Sequence, residues 1–371
     1  MTNSLFDKHP DLVVRQVKPF NAGPPPKLLN RSYVTPTDLF FVRSHGDVPE
    51  VDVDSYRLEI NGRGLQPLSL SLGDIKNNFE RVNVSATLQC AGNRREELTA
   101  VKPIPNELGW GVDAISHAVW AGIRLRDVLT AAGVESEAGL YLHVEFGGLD
   151  EIERLNKCFR YGSSIPLAKG LSPEVILAYE MNGEPLTPVH GFPLRTIVPG
   201  YIGARSVKWL DCITVQDEPS QNYFQSHAYR LFAAHIGPET AEWEEGVMLG
   251  EMNVTSVICS HYENECIPAE VVTVQGYSIT GGTEIARVEV SWDGGSNWVQ
   301  AELFNDTSCW AWTLWKASFE LKPGRYQLVV RAMDTSANTQ PQDISQVWNF
   351  KGYMNNAWHR VNIEVGLDIT G

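Results

Sequence analysis

Residues 82–98 read VNVSATLQCAGNRREEL, and they decide how the rest of the chain is read. Val82, Val84, Ala86 and Leu88 alternate up to Cys90, so a strand here buries one face and carries the thiol to the end of that face. Ala91-Gly92-Asn93 then breaks the strand, because Gly and Asn tolerate the left-handed backbone of a tight turn. Arg94 and Arg95 follow with two permanent charges. Cationic neighbours favour the thiolate, the form that attacks electrophiles or binds soft metals. A buried core cysteine beside a solvated charge pair fits the same residues on composition alone.

The chain has 371 residues, 43% of them hydrophobic, which is enough for two or three domains with substantial cores. Its 30 Lys plus Arg stand against 45 Asp plus Glu, a net charge of -15 that argues against general binding to nucleic acid or anionic membrane. An anionic substrate therefore needs a local basic pocket. The opening MTNSLFDKHPDLVVRQ has no apolar core of signal-peptide length, and no later run approaches a membrane span. The six cysteines are scattered without a disulfide framework, which predicts reduced thiols in the cytoplasm.

Residues 1–36 are rich in Pro and polar residues and predict an extended arm lying over a domain. LFFVRSH, residues 39–45, is a short apolar strand ending on polar groups at a turn that Gly46 and Pro49 close. Residues 56–60 alternate as a strand, and residues 70–77 suggest a short helix. Within residues 115–132, WAGIRLRDVLTAAG has apolar residues at helical spacing and reaches Gly133 as a C-cap, so a helix is expected. LYLHVEF, residues 140–146, is a buried strand with Gly147-Gly148-Leu149-Asp150 as its turn. Residues 175–179 lead to Glu180-Met181-Asn182-Gly183, whose Asn-Gly favours a hairpin. In HGFPLR, His190 and Arg195 flank a rigid irregular segment able to set two polar groups around an anion.

From Glu251 the texture changes to short alternating strands at 254–258, 271–277, 285–292, 298–303, 310–314 and 326–333. Turn signals such as Asp293-Gly294-Gly295-Ser296 separate them, the pattern of an immunoglobulin-like sandwich. Cys259, His261 and Cys266 make an incomplete zinc set. No nucleotide fingerprint, P-loop, serine elbow or haem CxxCH occurs.

TLQCAGNRR, residues 87–95, resembles the molybdenum-ligating cysteine motif of the sulfite oxidase family, and further stretches match that family in order from about Phe40 to Val361. The resemblance implies an α+β molybdopterin-binding domain at 37–248 followed by an all-β immunoglobulin-like dimerisation domain at 249–371, behind the arm and without the haem domain that some members carry. Cys90 is then the metal ligand of a molybdenum-molybdopterin cofactor. FVRSH resembles the family's FVRNH, which contacts the pterin and offers an arginine to the substrate. Phe41, Val42, Arg43, Ser44 and His45 are therefore expected at the cofactor, and Ser44 replaces an Asn that also hydrogen-bonds. Asp150 is carried over from the family's GLD segment. HGFPLR and the run ending in SVKW give His190, Arg195, Ser206, Val207 and Lys208, with the pterin phosphate as partner of the cations. Tyr229 in HAYR matches the active-site tyrosine, and Arg360 in NNAWHR matches a segment that returns an arginine to the site.

The activity so implied is oxidation of sulfite to sulfate, with Arg43, Arg95 and Arg360 holding the anion, Tyr229 hydrogen-bonding to it, and electrons leaving to oxygen or to an external carrier such as a cytochrome. A homodimer is expected. Nitrate or other oxo-compound reduction on the same scaffold is the nearest alternative, and a cofactor-binding protein without turnover is another. The chain departs from the family at Pro105, where a basic residue usually helps bind the oxyanion. Proline offers neither charge nor N–H, so weaker sulfite binding is expected unless Lys102 folds back into its place.

Overall fold

The computed structural model describes residues 5–134, 142–154, 156–268, 271–305 and 308–366. Two five-stranded sheets, one antiparallel and one mixed, form the first half. In the antiparallel sheet, Arg81–Gln89 pairs with Ile115–Arg124, which pairs with Ile176–Met181, itself flanked by Glu184–Pro185 and Arg195–Ile197. In the mixed sheet, Leu68–Leu70, Leu58–Gly62, Leu210–Gln216, His143–Arg154 and Lys157–Pro166 lie side by side. The pairing of Leu58–Gly62 with Leu210–Gln216 is parallel.

The cysteine strand packs as its alternation predicts. Ala86, Leu88 and Cys90 share one apolar cluster with Phe40, Trp110 and Trp120, and Val82 and Val84 pack against it. The strand ends at Gln89, opposite Ile115, and the Cys90 N–H still donates to Ala114 O at 2.9 Å. The thiol thus sits on the first residue past a fully paired strand, held by its own backbone. Leu72–Asn78 is the expected short helix, opened by a capping box between Ser71 and Asp74. Asn182 and Gly183, at φ 54° and 84°, turn the expected hairpin.

Two expectations in this half are corrected. Ile115–Arg124 is a strand and only Leu125–Ala131 is helical, although Gly133 does follow the helix at φ 98°. The strand lies inside its sheet and is buried on both faces, so its apolar run carries no period of two. Nor is Gly147-Gly148-Leu149-Asp150 a turn: His143–Arg154 runs through it, with a register shift between Gly147 and Glu151 that marks a bulge. The bulge buries Asp150 beside Lys208, and a Cβ on Gly148 would stand 2.8 Å from both Asp150 Oδ1 and Lys208 O. Of the strand expected at 140–146, residues 140 and 141 lie outside the described residues.

The second half is a two-sheet sandwich. Thr255–Ile258, Val271–Ile279, Thr313–Glu320 and Glu302–Phe304 face Glu265–Pro268, His359–Gly366, Gly324–Asp334, Ile285–Ser291 and Val299–Gln300 across a shared apolar core. The strand expected at 298–303 divides at buried Ala301 between the two sheets. The strand expected at 310–314 begins only at Thr313, because Trp310 and Trp312 dock on the first half: Trp310 O accepts from Thr87 N at 3.0 Å and Trp312 N donates to Thr87 Oγ1 at 2.9 Å. Further bonds tie the sandwich to the loop after Cys90. Met354 N donates to Ala91 O at 2.8 Å, and Asn93 Nδ2 donates to Tyr277 Oη at 2.9 Å.

Candidate active site

A concave cavity opens at the end of the cysteine strand, lined by apolar side chains and a few convergent polar groups, as small-molecule and cofactor sites usually are. Cys90 and Tyr229 line it together with Phe41, Val42, Arg43, Ser44, His45, Asp150, His190, Arg195, Ser206, Val207 and Lys208. These residues come from separate stretches of sequence, and the two sheets, the bulge and the Gly203–Arg205 turn bring them onto one wall.

At the cysteine end, Gly92 N donates to Cys90 Sγ at 3.4 Å. Here Arg43, His45 and Tyr229 form an ordered relay. Arg43 Nη2 lies 3.0 Å from His45 Nδ1, and a guanidinium can only donate, so Nδ1 accepts. His45 Nε2–H then donates to Tyr229 Oη at 2.8 Å, which leaves the phenol hydrogen free for another acceptor. Burial, with Arg43 alongside, holds the His45 pKa well below its ordinary value, so the ring stays neutral. Burial also pushes Tyr229 up to about 12, so it remains a donor. Arg43 keeps its charge: burial pulls its pKa down, but Tyr229, Cys90, Tyr353 and Glu107 outweigh that.

At the other end the cations crowd together. Lys208 Nζ donates to Ser44 Oγ at 2.6 Å and to Val189 O at 3.1 Å. Arg195 donates to His190 O at 3.0 Å and to Ser206 O at 3.2 Å. Burial, with Arg195 nearby, drives the Lys208 pKa well below its usual range, and burial lowers Arg195 to about 9. Asp150, raised by burial to about 6, is the carboxylate among the cavity-lining residues. Arg43, Arg195 and Lys208 thus face a single acid, an imbalance that a bound anion would correct.

The other expected residues stand elsewhere. Arg95 does not line the cavity: its guanidinium donates to the carbonyls of Lys351, Gly352 and Leu108 and lies 5.1 Å over the Tyr353 ring. It threads between two glycines, since a Cβ on Gly92 would stand 2.5 Å from Arg95 Nη2 and one on Gly352 would stand 2.6 Å from Arg95 Cγ. Arg94, not Gly92 or Asn93, takes the left-handed conformation, at φ 65°, and turns away to a bidentate pair with Glu97. The cation facing the thiol is therefore Arg43. Arg360 is a correction as well. It lies between buried His359 and Val361 on one strand, so the period of two turns it off the core, and it bonds to Gln327 Oε1 at 2.9 Å. The sandwich instead sends residues 351–354 to the site, with Tyr353 stacked on Tyr229 at 5.3 Å. Pro105 is exposed, and Lys102 lies 4.7 Å over the Trp348 ring instead of folding back. Glu107, two residues on, pairs with Lys351 and lies 3.8 Å from Arg95.

Sequence reading missed Tyr161, which lines the cavity, donates to Ala204 O at 2.8 Å and stacks on His45. It falls within Lys157–Pro166, a strand whose hairpin partner was read as ending in a turn.

Among the described residues no group of three or more His, Cys, Asp or Glu is placed to hold a metal ion. A metal bound at Cys90 must therefore bring most of its ligands with it. One sulfur with Arg43 at one end of the cavity, and Arg195 and Lys208 against one acid at the other, suit a soft metal carried on an anionic organic group.

Comparison with known proteins agrees with that chemistry. Residues 45–224 match the oxidoreductase molybdopterin binding domain, and residues 247–366 match the Mo-co oxidoreductase dimerisation domain. Human mitochondrial sulfite oxidase is 44% identical over 96% of this chain, which spans 66% of the human protein's length. Arabidopsis thaliana sulfite oxidase is 40% identical over 97% of this chain and is itself 95% covered. In fold, the chain is similar to the sulfane dehydrogenase SoxCD of Paracoccus pantotrophus, with a TM-score of 0.79 at 24% identity, covering 95% of this chain and 88% of that one.

Proposed function

Because the chain belongs to the sulfite oxidase family, whose cofactor is molybdenum-molybdopterin, we propose that it oxidises sulfite to sulfate with Cys90 as the protein's ligand to the metal. The observation that carries this is the meeting of the Cys90 thiol with the Arg43–His45–Tyr229 relay in one buried cavity. When bound, the cofactor supplies a metal centre able to take two electrons from the substrate sulfur.

The chain's own residues do the rest in this proposal. His190, Arg195, Ser206, Val207 and Lys208 bind the anionic end of the cofactor, and Asp150 accepts hydrogen bonds from its pterin ring. Phe41, Val42 and Ser44 pack along it. Arg43 attracts the sulfur oxyanion, and the Tyr229 hydroxyl donates to an oxygen whose charge grows during the reaction. Arg95 acts from behind, positioning Tyr353 against Tyr229. Electrons then leave to oxygen or to an external carrier.

We assign this chemistry to residues 37–248 and pairing into a homodimer to the sandwich at 249–371, supported by the match to a dimerisation domain. Six unpaired cysteines favour a reducing compartment such as the cytoplasm.

Purified protein assayed for molybdenum should reduce ferricyanide when given sulfite, with one sulfate formed per two ferricyanides. The same preparation should not reduce nitrate with a reduced viologen dye. Molybdenum-replete protein that turns over nitrate but not sulfite would overturn the assignment, and protein inert to both would be a binding protein.

A further inference from the structure

The N-terminal arm reaches the cofactor wall with two buried polar side chains. Lys8 is 5% exposed, and its ammonium points at three acceptors: Thr37 O at 2.6 Å, Phe40 O at 2.8 Å and His190 Nε2 at 3.0 Å. Asn21 is fully buried. Its Oδ1 accepts from Ser44 N at 2.8 Å and from Arg43 Nη1 at 3.3 Å, while its Nδ2 donates to Ser44 O at 3.1 Å. Beside it, Ala22 and Val42 exchange backbone bonds at 3.1 and 2.8 Å.

We infer that Lys8 and Asn21 of this arm belong to the cofactor site: Lys8 fixes His190 as the tautomer protonated on Nδ1, and Asn21 fixes the turn that carries Arg43 and Ser44. This rests on the cofactor reading above for its consequence, though not for its geometry. An ammonium has three hydrogens and no lone pair, so the third acceptor it faces, His190 Nε2, must be unprotonated. The neutral ring then holds its proton on Nδ1, which has no hydrogen-bond partner among the described residues and belongs to a ring on the cavity wall. Without Lys8, Nε2 would take the proton and donate to Thr37 O, which lies 3.3 Å away. His190 would then offer the cavity an acceptor where an anion needs a donor. Burial, with Lys8, Arg195 and Lys208 around it, keeps His190 neutral. Burial draws the Lys8 pKa down to about 7 against the pull of Asp38, so Lys8 is an ammonium at pH 6. Lys8 and Asn21 are positioning residues, acting through His190, Ser44 and Arg43.

The test has two arms. In cofactor-free wild-type protein with 15N-labelled histidine at pH 6, the His190 ring should show a protonated Nδ1 and a bare Nε2. Lys8→Met should move the proton toward Nε2. In cofactor-loaded protein, Lys8→Met should release pterin, followed by its fluorescence after gel filtration, about tenfold faster than wild type, as expected for the loss of one charge-assisted contact. Lys18→Met, which removes an exposed lysine paired with Asp47, should release it at the wild-type rate. A wild-type His190 protonated on Nε2 overturns the inference even if the variant fails to fold. So does a Lys8→Met protein with unchanged tautomer and release. A correct tautomer in a protein that never binds pterin would retain the geometry and overturn the cofactor reading instead.

Discussion

Tyr277→Phe tests how the sandwich holds the metal-binding loop. The Tyr277 hydroxyl, fully buried, accepts from Asn93 Nδ2 at 2.9 Å and donates to Val112 O at 3.0 Å. Asn93 in turn accepts from Ala114 N through Oδ1 at 3.0 Å, and its own N–H donates to Cys90 O at 3.0 Å. Phenylalanine keeps the ring's shape, so no cavity forms beyond the missing oxygen. What is lost is two neutral hydrogen bonds, leaving one buried Asn93 amide hydrogen and the partly buried Val112 carbonyl without that partner, about 2 to 4 kcal/mol in all. At an unfolding entropy of roughly 0.8 kcal/mol per degree for a chain of 371 residues, this lowers Tm by about 3 to 5 °C if the chain unfolds as one unit. Calorimetry or circular dichroism on cofactor-free protein measures it. A cycle with Asn93→Ala should show a coupling of about 1 kcal/mol, since the two side chains share one of the bonds. A Tm shift below about 1 °C, or strict additivity in the cycle, would refute the reasoning.

Tyr229→Phe removes the last donor of the relay. kcat for sulfite should fall about a hundredfold with KM changed far less, read by steady-state kinetics. Glu107→Gln removes the carboxylate that pairs with Lys351 and stands near Arg95. The sulfite KM should drop about three- to tenfold, and an unchanged KM would show that these cations do not feel the substrate. His359 is buried with Nδ1 accepting from Ile258 N at 3.1 Å, and burial lowers its pKa to about 4. The unfolded chain therefore binds the proton first, near pH 6.5, and stability is lost as pH falls from 6.5 to 4, by up to about 3 kcal/mol. His359→Gln should flatten that part of the curve of denaturation midpoint against pH.

Parts of the fold were legible because their residues obey local rules, whereas the cavity-lining residues were read through the family resemblance. A period-two run ending in a cysteine can be read from the chain, and so can an Asn-Gly hairpin or the short helix after Leu70. Where reading failed, long-range packing had overruled the local pattern. Ile115–Arg124 looks helical only because burial on both faces erases its alternation. Gly148 and Asp150 look like a turn, yet the glycine is there to let a bulge aim the acid at Lys208. Arg360 lies near the right segment in sequence, but one step along a strand reverses a side chain, and Tyr353 and Lys351 reach inward from the loop before it. Lys8 and Asn21 could not be found locally at all, since their partners lie 182 and 23 residues away.

The central claim is that the Cys90 thiolate is the protein's ligand to molybdenum. X-ray absorption at the molybdenum edge, on wild-type and Cys90→Ser protein with matched metal content, counts the sulfur neighbours directly. The account predicts three in wild type, two from the pterin and one from Cys90, and two in the variant, with pterin still bound and sulfite turnover abolished. An unchanged sulfur count in the variant, or sulfite oxidation at the wild-type rate, would contradict it.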